Sequence, residues 1–274
     1  MTLETSQTEY QIGGLRVATL LEPRSKADKL TVVLNGYCDR VRRAPPVFVD
    51  WPSTDCFGHI LRISDPSMFL SDWVTGSCFL GAEKEDPIPA IVECTRRVAQ
   101  QLSVSENRVV YFGHSGGGFG AIQCAILDRA SSALTINPVL EPAHYAKYNF
   151  AKAMAEIFRP NTDIAELLKD YPERLSVTNA VKSAHEAGLK PCIGIIQNVL
   201  DAHHYGKHFL PFCKSVGISP IGGTDDTGFI HGMTCIMRGG HNGRFVEGDG
   251  PIENLFLKLL FLRSKFEGAN NNTA

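Results

Sequence analysis

Apolar residues gather along this chain in two kinds of segment that take turns. The first kind is a short, almost unbroken apolar run that stops at a glycine or a proline. Residues 29–35 (KLTVVLN), 108–113 (RVVYFG) and 133–137 (ALTIN, closed by Pro138) have this form, and with the apolar run 191–199 (PCIGIIQNV), which has no such stop, each predicts a buried strand. Residues 58–64 (GHILRIS) predict another. Residues 10–21 (YQIGGLRVATLL) read as a hairpin or paired edge strands around Gly13-Gly14.

The second kind has helical spacing. In 87–102, Ile88, Ile91, Val92, Thr95, Val98, Ala99 and Leu102 recur behind Pro87, and proline is tolerated at a helix start. Residues 116–128 (GGGFGAIQCAILD) predict a helix that begins directly after a strand. A helix at about 204–215, one or two strands within 216–237, and a strongly amphipathic helix over 251–266 follow. The stretch 141–186 differs. It is rich in alanine, lysine and glutamate, has breaks at Pro160 and Pro172, and reads as a helical, lid-like insertion.

Strands alternating with helices predict an α/β fold, a mostly parallel central sheet with helices on both faces. A single domain over residues 1–268 and a disordered tail over 269–274, the end of GANNNTA, are expected. Ligands of such sheets bind at the carboxyl ends of the strands. Chemistry is therefore expected just after residues 35, 113, 137, 199 and 237.

Composition narrows the classes. The chain has 274 residues with 43% apolar and 20% charged, enough to bury a core without disulfides or metal. A net charge of −2 gives no reason to expect nucleic acid, and Arg40, Arg42 and Arg43 are too short a cluster to build a groove for it. MTLETSQTEYQIGG has no secretory pattern, and no apolar stretch approaches the roughly 18 residues of a span. A soluble, cytoplasmic protein without a membrane span is expected. The eight cysteines are scattered singly, without C-x-x-C. They read as free buried thiols rather than disulfides or a zinc site.

The chemistry is carried by Gly113-His114-Ser115-Gly116-Gly117, which matches G-x-S-x-G. An apolar strand ends on the first glycine and a helix starts at the third, the context of a nucleophile elbow. The serine must stand on a tight, strained turn, and side chains two residues to either side would collide with strand and helix, so glycine is required. The plainer reading is a glycine-rich packing or phosphate turn. A serine needs a base, and an elbow of this kind is followed by acid and then histidine in chain order. His241, in RGGHNG before the last helix, is the first candidate. His231, within a strand-like run, is the second. Asp201, at the carboxyl end of strand 191–199, can accept an imidazole N–H and fix its tautomer, or simply cap a helix. Asp225 and Asp226 precede a strand and fall at the wrong end of the sheet. His203, His204 and His208 in DAHHYGKH suggest metal, but a two-histidine helical pair lacks a third ligand at useful spacing. They are expected to line the site mouth or the surface. The oxyanion donors expected are the backbone N–H groups of Gly116 and of Tyr37, the latter from Asn35-Gly36-Tyr37.

NGYCDR, GHSGGGFGA, NVLDAHHY and GGH follow in the order of the α/β-hydrolase superfamily, which the chain resembles over nearly its whole length. GHSGGGFGAIQCA with INPVLEPAHY is also similar to a branch associated with bacterial surface-polysaccharide and accessory secretion proteins, which resemble carbohydrate acetyltransferases or esterases. Asn35 departs from the histidine found there in many hydrolases. The resemblance implies a serine hydrolase acting on a small-molecule or glycan acyl ester through Ser115, His241 and Asp201, with no cofactor. Its alternatives are an acyltransferase of the same mechanism, hydrolysis of a thioester or carbon–carbon bond, and a non-catalytic scaffold in glycan handling.

Overall fold

The structure is a computed structural model that describes residues 4–50, 57–144, 150–243 and 250–271. The strands are β1 Ser6–Ile12, β2 Leu15–Glu22, β3 Leu30–Leu34, β4 His59–Ile63, β5 Val109–His114, β6 Ser132–Ile136, β7 Cys192–Asn198, β8 Gly222–Thr224 and β9 Ile230–Cys235. They form one sheet in the order β1-β2-β4-β3-β5-β6-β7-β9-β8. From β4 through β9 neighbours run parallel, and antiparallel strands close both edges. The expected hairpin is β1–β2. Gly13 has φ +60° at its turn, which glycine takes without a steric cost. β1 is an edge strand, and most of its side chains are exposed.

The central strands are apolar because both faces are covered. Side chains alternate across the sheet. Val32, Leu34 and Tyr111 join one core with α1 (Pro87–Gln101), α2 (Gly116–Leu127) and α6 (Val177–Glu186). Val33, Val110 and Phe112 face the other way, against Ile252, Phe256 and Leu259 of α9 (Gly250–Asn271). Leu257 and Phe261 stand exposed on α9, so that helix is less amphipathic than its spacing predicts. It is helical through Asn271, so the expected tail starts within it. Residues 272–274 lie outside the described residues.

Chain order reverses at the middle of the sheet, since β4 lies on one side of β3 and β5 on the other. This is the switch point where loops part and ligands bind in doubly wound sheets. The loops after β3 and β5 meet there.

The segment after β6 is helical as expected, with α3 Phe150–Phe158, α4 Ile164–Asp170, α5 Pro172–Leu175 and α6. It is fastened to the stretch at residues 80–86. The Arg174 guanidinium donates to the carbonyls of Leu80, Ala82, Glu83 and Glu85. Arg159 and Tyr171 both bind the Glu83 carboxylate. These bonds hold Glu83 down to about 2, chiefly through Arg159 and then Tyr171.

Candidate active site

The elbow is where glycine was expected to matter most. Ser115 has φ +56° and ψ −124°, a conformation that a residue with a side chain adopts only when its surroundings enforce it. A Cβ on Gly113 would lie 2.1 Å from the Gly117 carbonyl oxygen, and one on Gly117 2.2 Å from that of Leu34. Strand β5, helix α2 and the end of β3 thus meet backbone to backbone. Gly117→Ala is expected to cost about 1–3 kcal/mol by overpacking and to lower activity by shifting the elbow. A thermal melt of the variant checks this, and an unchanged Tm would contradict it.

Ser115 is nearly buried, at 8% exposure. Gly36 packs on it, since a Cβ there would lie 3.4 Å from the Ser115 Cβ and 3.7 Å from the Gly116 nitrogen. The loop after β3 therefore runs directly over the elbow. The Gly116 N–H starts α2, and α-helices leave their first N–H groups unpaired. Among the described residues no protein group accepts the Tyr37 N–H, whereas the next one, from Cys38, donates to Thr75 O at 2.7 Å. Asn35, where many hydrolases have histidine, is buried and structural. Its Oδ1 accepts from Asp65 N at 2.7 Å and its Nδ2 donates to Gly36 O at 2.9 Å. Asp65 in turn accepts from Ser67, Ser77 and Phe79, which holds Cys78 and Phe79 at positive φ, Cys78 against Gly116 and Phe79 against Gly120.

Asp201 and His241 come together at the same end of the sheet. Asp201 follows β7 and His241 follows β9. His241 Nδ1 donates to Asp201 Oδ2 at 2.6 Å, so the aspartate fixes the imidazole tautomer with its other nitrogen free of the ring proton. No hydrogen bond joins the Ser115 hydroxyl to His241. Asp201 also caps α7 (Ala202–His204), which runs on toward α8 (Leu210–Val216), and accepts from the His204 N–H at 3.3 Å. Burial pushes its carboxyl up, but hydrogen bonds from His204 and His241 and their charge outweigh this and hold it well below the usual range.

The sequence reading missed the residues that carry His241. His114, the variable residue of G-x-S-x-G, donates from Nε2 to the His241 carbonyl at 2.8 Å. Asn137 Nδ2 donates to the same oxygen at 3.0 Å. Asn198 Nδ2 donates to the carbonyls of Met237 and Gly240, each at 2.7 Å. The loop that carries His241 is thus tied to the ends of β5, β6 and β7.

His204 and His208 are buried, at 2% and 0%; of the two expected placements, site mouth or surface, burial removes the surface. A helix has an inner face, and theirs turns toward the site. His204 stacks on His241 with centroids 4.1 Å apart. His208 Nδ1 accepts from the N–H groups of Leu140 and Glu141. His203 packs edge-on against both. Asp201, His204 and His241 bring donor atoms within 4.8 Å of one another. The spacings are those of two imidazole N–H groups on one carboxylate. His231, the other candidate base, lies near the start of β9, away from the carboxyl ends, and Asp225 caps the turn before that strand by accepting from Phe229 and Ile230. Asp226 shares that turn.

Several of these rings stay neutral in the fold. Burial, then His241, pushes His114 down to about 4. Burial, then His204, pushes His208 to about 2, and burial, then Lys258, pushes His231 to about 4. An unfolded histidine takes its proton near pH 6.5. The unfolded chain therefore binds more protons below that value, and stability must fall as pH drops from about 6.5 toward 4. Melting curves across this range are expected to show a level Tm near neutrality that declines on acidification. A Tm that rises on acidification would contradict the burial of these rings as neutral groups.

The chain has the α/β-hydrolase fold. No family model and no curated protein sequence matches it, and the likeness is one of structure. It is similar to an S-formylglutathione hydrolase from Agrobacterium tumefaciens, with a TM-score of 0.60 and 16% identity over 96% of this chain and 99% of that one. It is similar to a capsule O-acetyltransferase of Neisseria meningitidis serogroup A, with a TM-score of 0.59 and 14% identity over 96% and 97%. It is also similar to a chain of a glycosylation-associated protein complex from Streptococcus agalactiae, with a TM-score of 0.56 and 15% identity over 93% of this chain and 46% of that one. No helix among the described residues is long and apolar enough to cross a membrane.

Proposed function

We propose that the protein is a serine hydrolase or acyltransferase acting on a small-molecule or glycan acyl ester. The observation that carries this reading is the strained Ser115 at the end of β5, at the same end of the sheet as a histidine whose Nδ1 proton is held by a buried carboxylate. In this mechanism Ser115 attacks the acyl carbonyl and gives its proton to His241 Nε2. Asp201 orients the ring and stabilises the imidazolium. The N–H groups of Gly116 and Tyr37 hold the oxyanion. His241 returns the proton to the leaving alcohol, and water or another hydroxyl then takes the acyl group. The helices between β6 and β7 would cap the site as a lid and select the substrate.

Hydrolysis and transfer share every residue named and differ only in the acceptor. The fold likeness to both a hydrolase and an O-acetyltransferase supports the shared chemistry and does not choose between them. The reading is tested by stopped-flow mixing with a chromogenic acetyl ester. A burst of alcohol equal to the enzyme concentration, followed by a slower steady rate, is expected from an acyl-enzyme. Added sugars that speed the steady rate and become acetylated would identify a transferase. A steady rate with no burst, unchanged in Ser115→Ala, would overturn the reading. The activity is also expected to survive chelators, because the Asp201 oxygens are occupied by imidazole protons; complete loss on chelation, restored by metal, would contradict that assignment.

A further inference from the structure

His204 takes no part in the proton path above, yet it packs on the base itself. Its ring stacks on that of His241, 18° from parallel. Its Nδ1 lies 2.9 Å from Asp201 Oδ2 and 3.1 Å from Oδ1, while His241 Nδ1 lies 2.6 Å from Oδ2. Two imidazoles therefore donate to one carboxylate, and the second is as deeply buried as a core residue. An aspartate that only orients His241 needs no such partner.

We propose that His204 is a positioning residue that sets the basicity of His241 by sharing the charge of Asp201 and that fixes the ring plane by stacking. The proposal rests on the reading of His241 as the base. A carboxylate that accepts two N–H groups offers less negative charge to either. The imidazolium formed on His241 is then less stabilised, so it releases its proton to the leaving group more readily. This requires His204 to be a neutral donor rather than a second cation. Burial meets that requirement by pushing its own proton affinity down, against the pull of Asp201. The titratable groups facing the pair are Asp201, His203 and His208 from the same helical stretch, His114 from the end of β5, and His144, whose ring lies 6.5 Å from that of His208.

The test separates the two contributions and does not depend on turnover. In a Ser115→Ala background, the ring resonances of His241 are followed by NMR as a function of pH. His204→Phe keeps a stacked ring and removes the N–H. His204→Asn keeps an N–H donor near the same place. The His241 midpoint is expected to rise by about 1 pH unit in His204→Phe and by much less in His204→Asn. With Ser115 intact, the acid limb of kcat/KM should rise by the same amount, whereas a merely structural loss would lower activity at every pH without moving the limb. Should His204→Phe fail to fold, His204→Leu carries the same expectation. A His241 midpoint unmoved in the Phe or Leu variant, or moved down, would overturn the proposal. A clear midpoint shift in a protein that turns over no ester would leave this inference standing and overturn the functional reading instead.

Discussion

Asp201→Asn is expected to lower kcat on the order of 10⁴-fold, the scale set by removing the orienting acid of a serine–histidine pair. The physical reason lies in hydrogen-bond count. The aspartate accepts from two imidazole Nδ1 atoms and from the His204 backbone N–H. An asparagine keeps one acceptor oxygen and turns an NH2 toward the other ring. If that ring is His241, its Nδ1 must accept and its Nε2 must carry the proton. A base with its proton already on Nε2 cannot take one from Ser115. The variant is expected to fold, because the side chain keeps its volume. Steady-state kinetics beside a thermal melt check this. Activity within ten-fold of wild type in a folded Asp201→Asn would remove Asp201 from the mechanism.

Asn198→Ala should damage stability and activity together. This buried amide donates to the carbonyls of Met237 and Gly240 and accepts from the N–H groups of Leu200 and Met237. It joins the turn that leads to Asp201 with the loop that carries His241. Alanine would strand buried backbone groups, each costing about 1–3 kcal/mol, and the sum over the cluster is on the order of 4 kcal/mol after relaxation. Urea unfolding is expected to show that loss as a lower midpoint. At temperatures where the variant remains folded, kcat should still fall, because His241 is no longer held against Asp201. A variant with a wild-type midpoint would show that the loop is held by other means. Asn198→Asp is expected to be no better, since a buried carboxylate would face two carbonyl oxygens.

The parts of this molecule legible in the sequence are those with local causes. The central strands read correctly because burial on both faces demands unbroken apolar runs such as LTVVL and VVYF. The tight strand-to-helix turn at Ser115 was legible because strand, helix and the end of β3 meet there backbone to backbone and leave room only for glycine at residues 113 and 117. β8 is only Gly-Gly-Thr, without apolar residues to signal a strand, and exists through its pairing with β9. The residues that moor His241 were hidden for a different reason. Asn137 and His241 are 104 residues apart, and His114 and His241 are 127 apart. Nothing near Asn137 or Asn198 distinguishes a buried amide from an ordinary polar strand end. His204 was left between the site mouth and the surface because helical spacing alone does not say which face of a short, polar helix turns inward.

The central claim is that Ser115 is an activated nucleophile, and a fluorophosphonate probe tests it most directly. Such probes react with a serine hydroxyl only when a base and an oxyanion site act on it. The account predicts stoichiometric labelling of the wild-type protein, with the adduct on Ser115 by peptide mass spectrometry, and none in a folded Ser115→Ala variant. A folded wild-type protein that takes up no probe, or one labelled equally in Ser115→Ala, would contradict it.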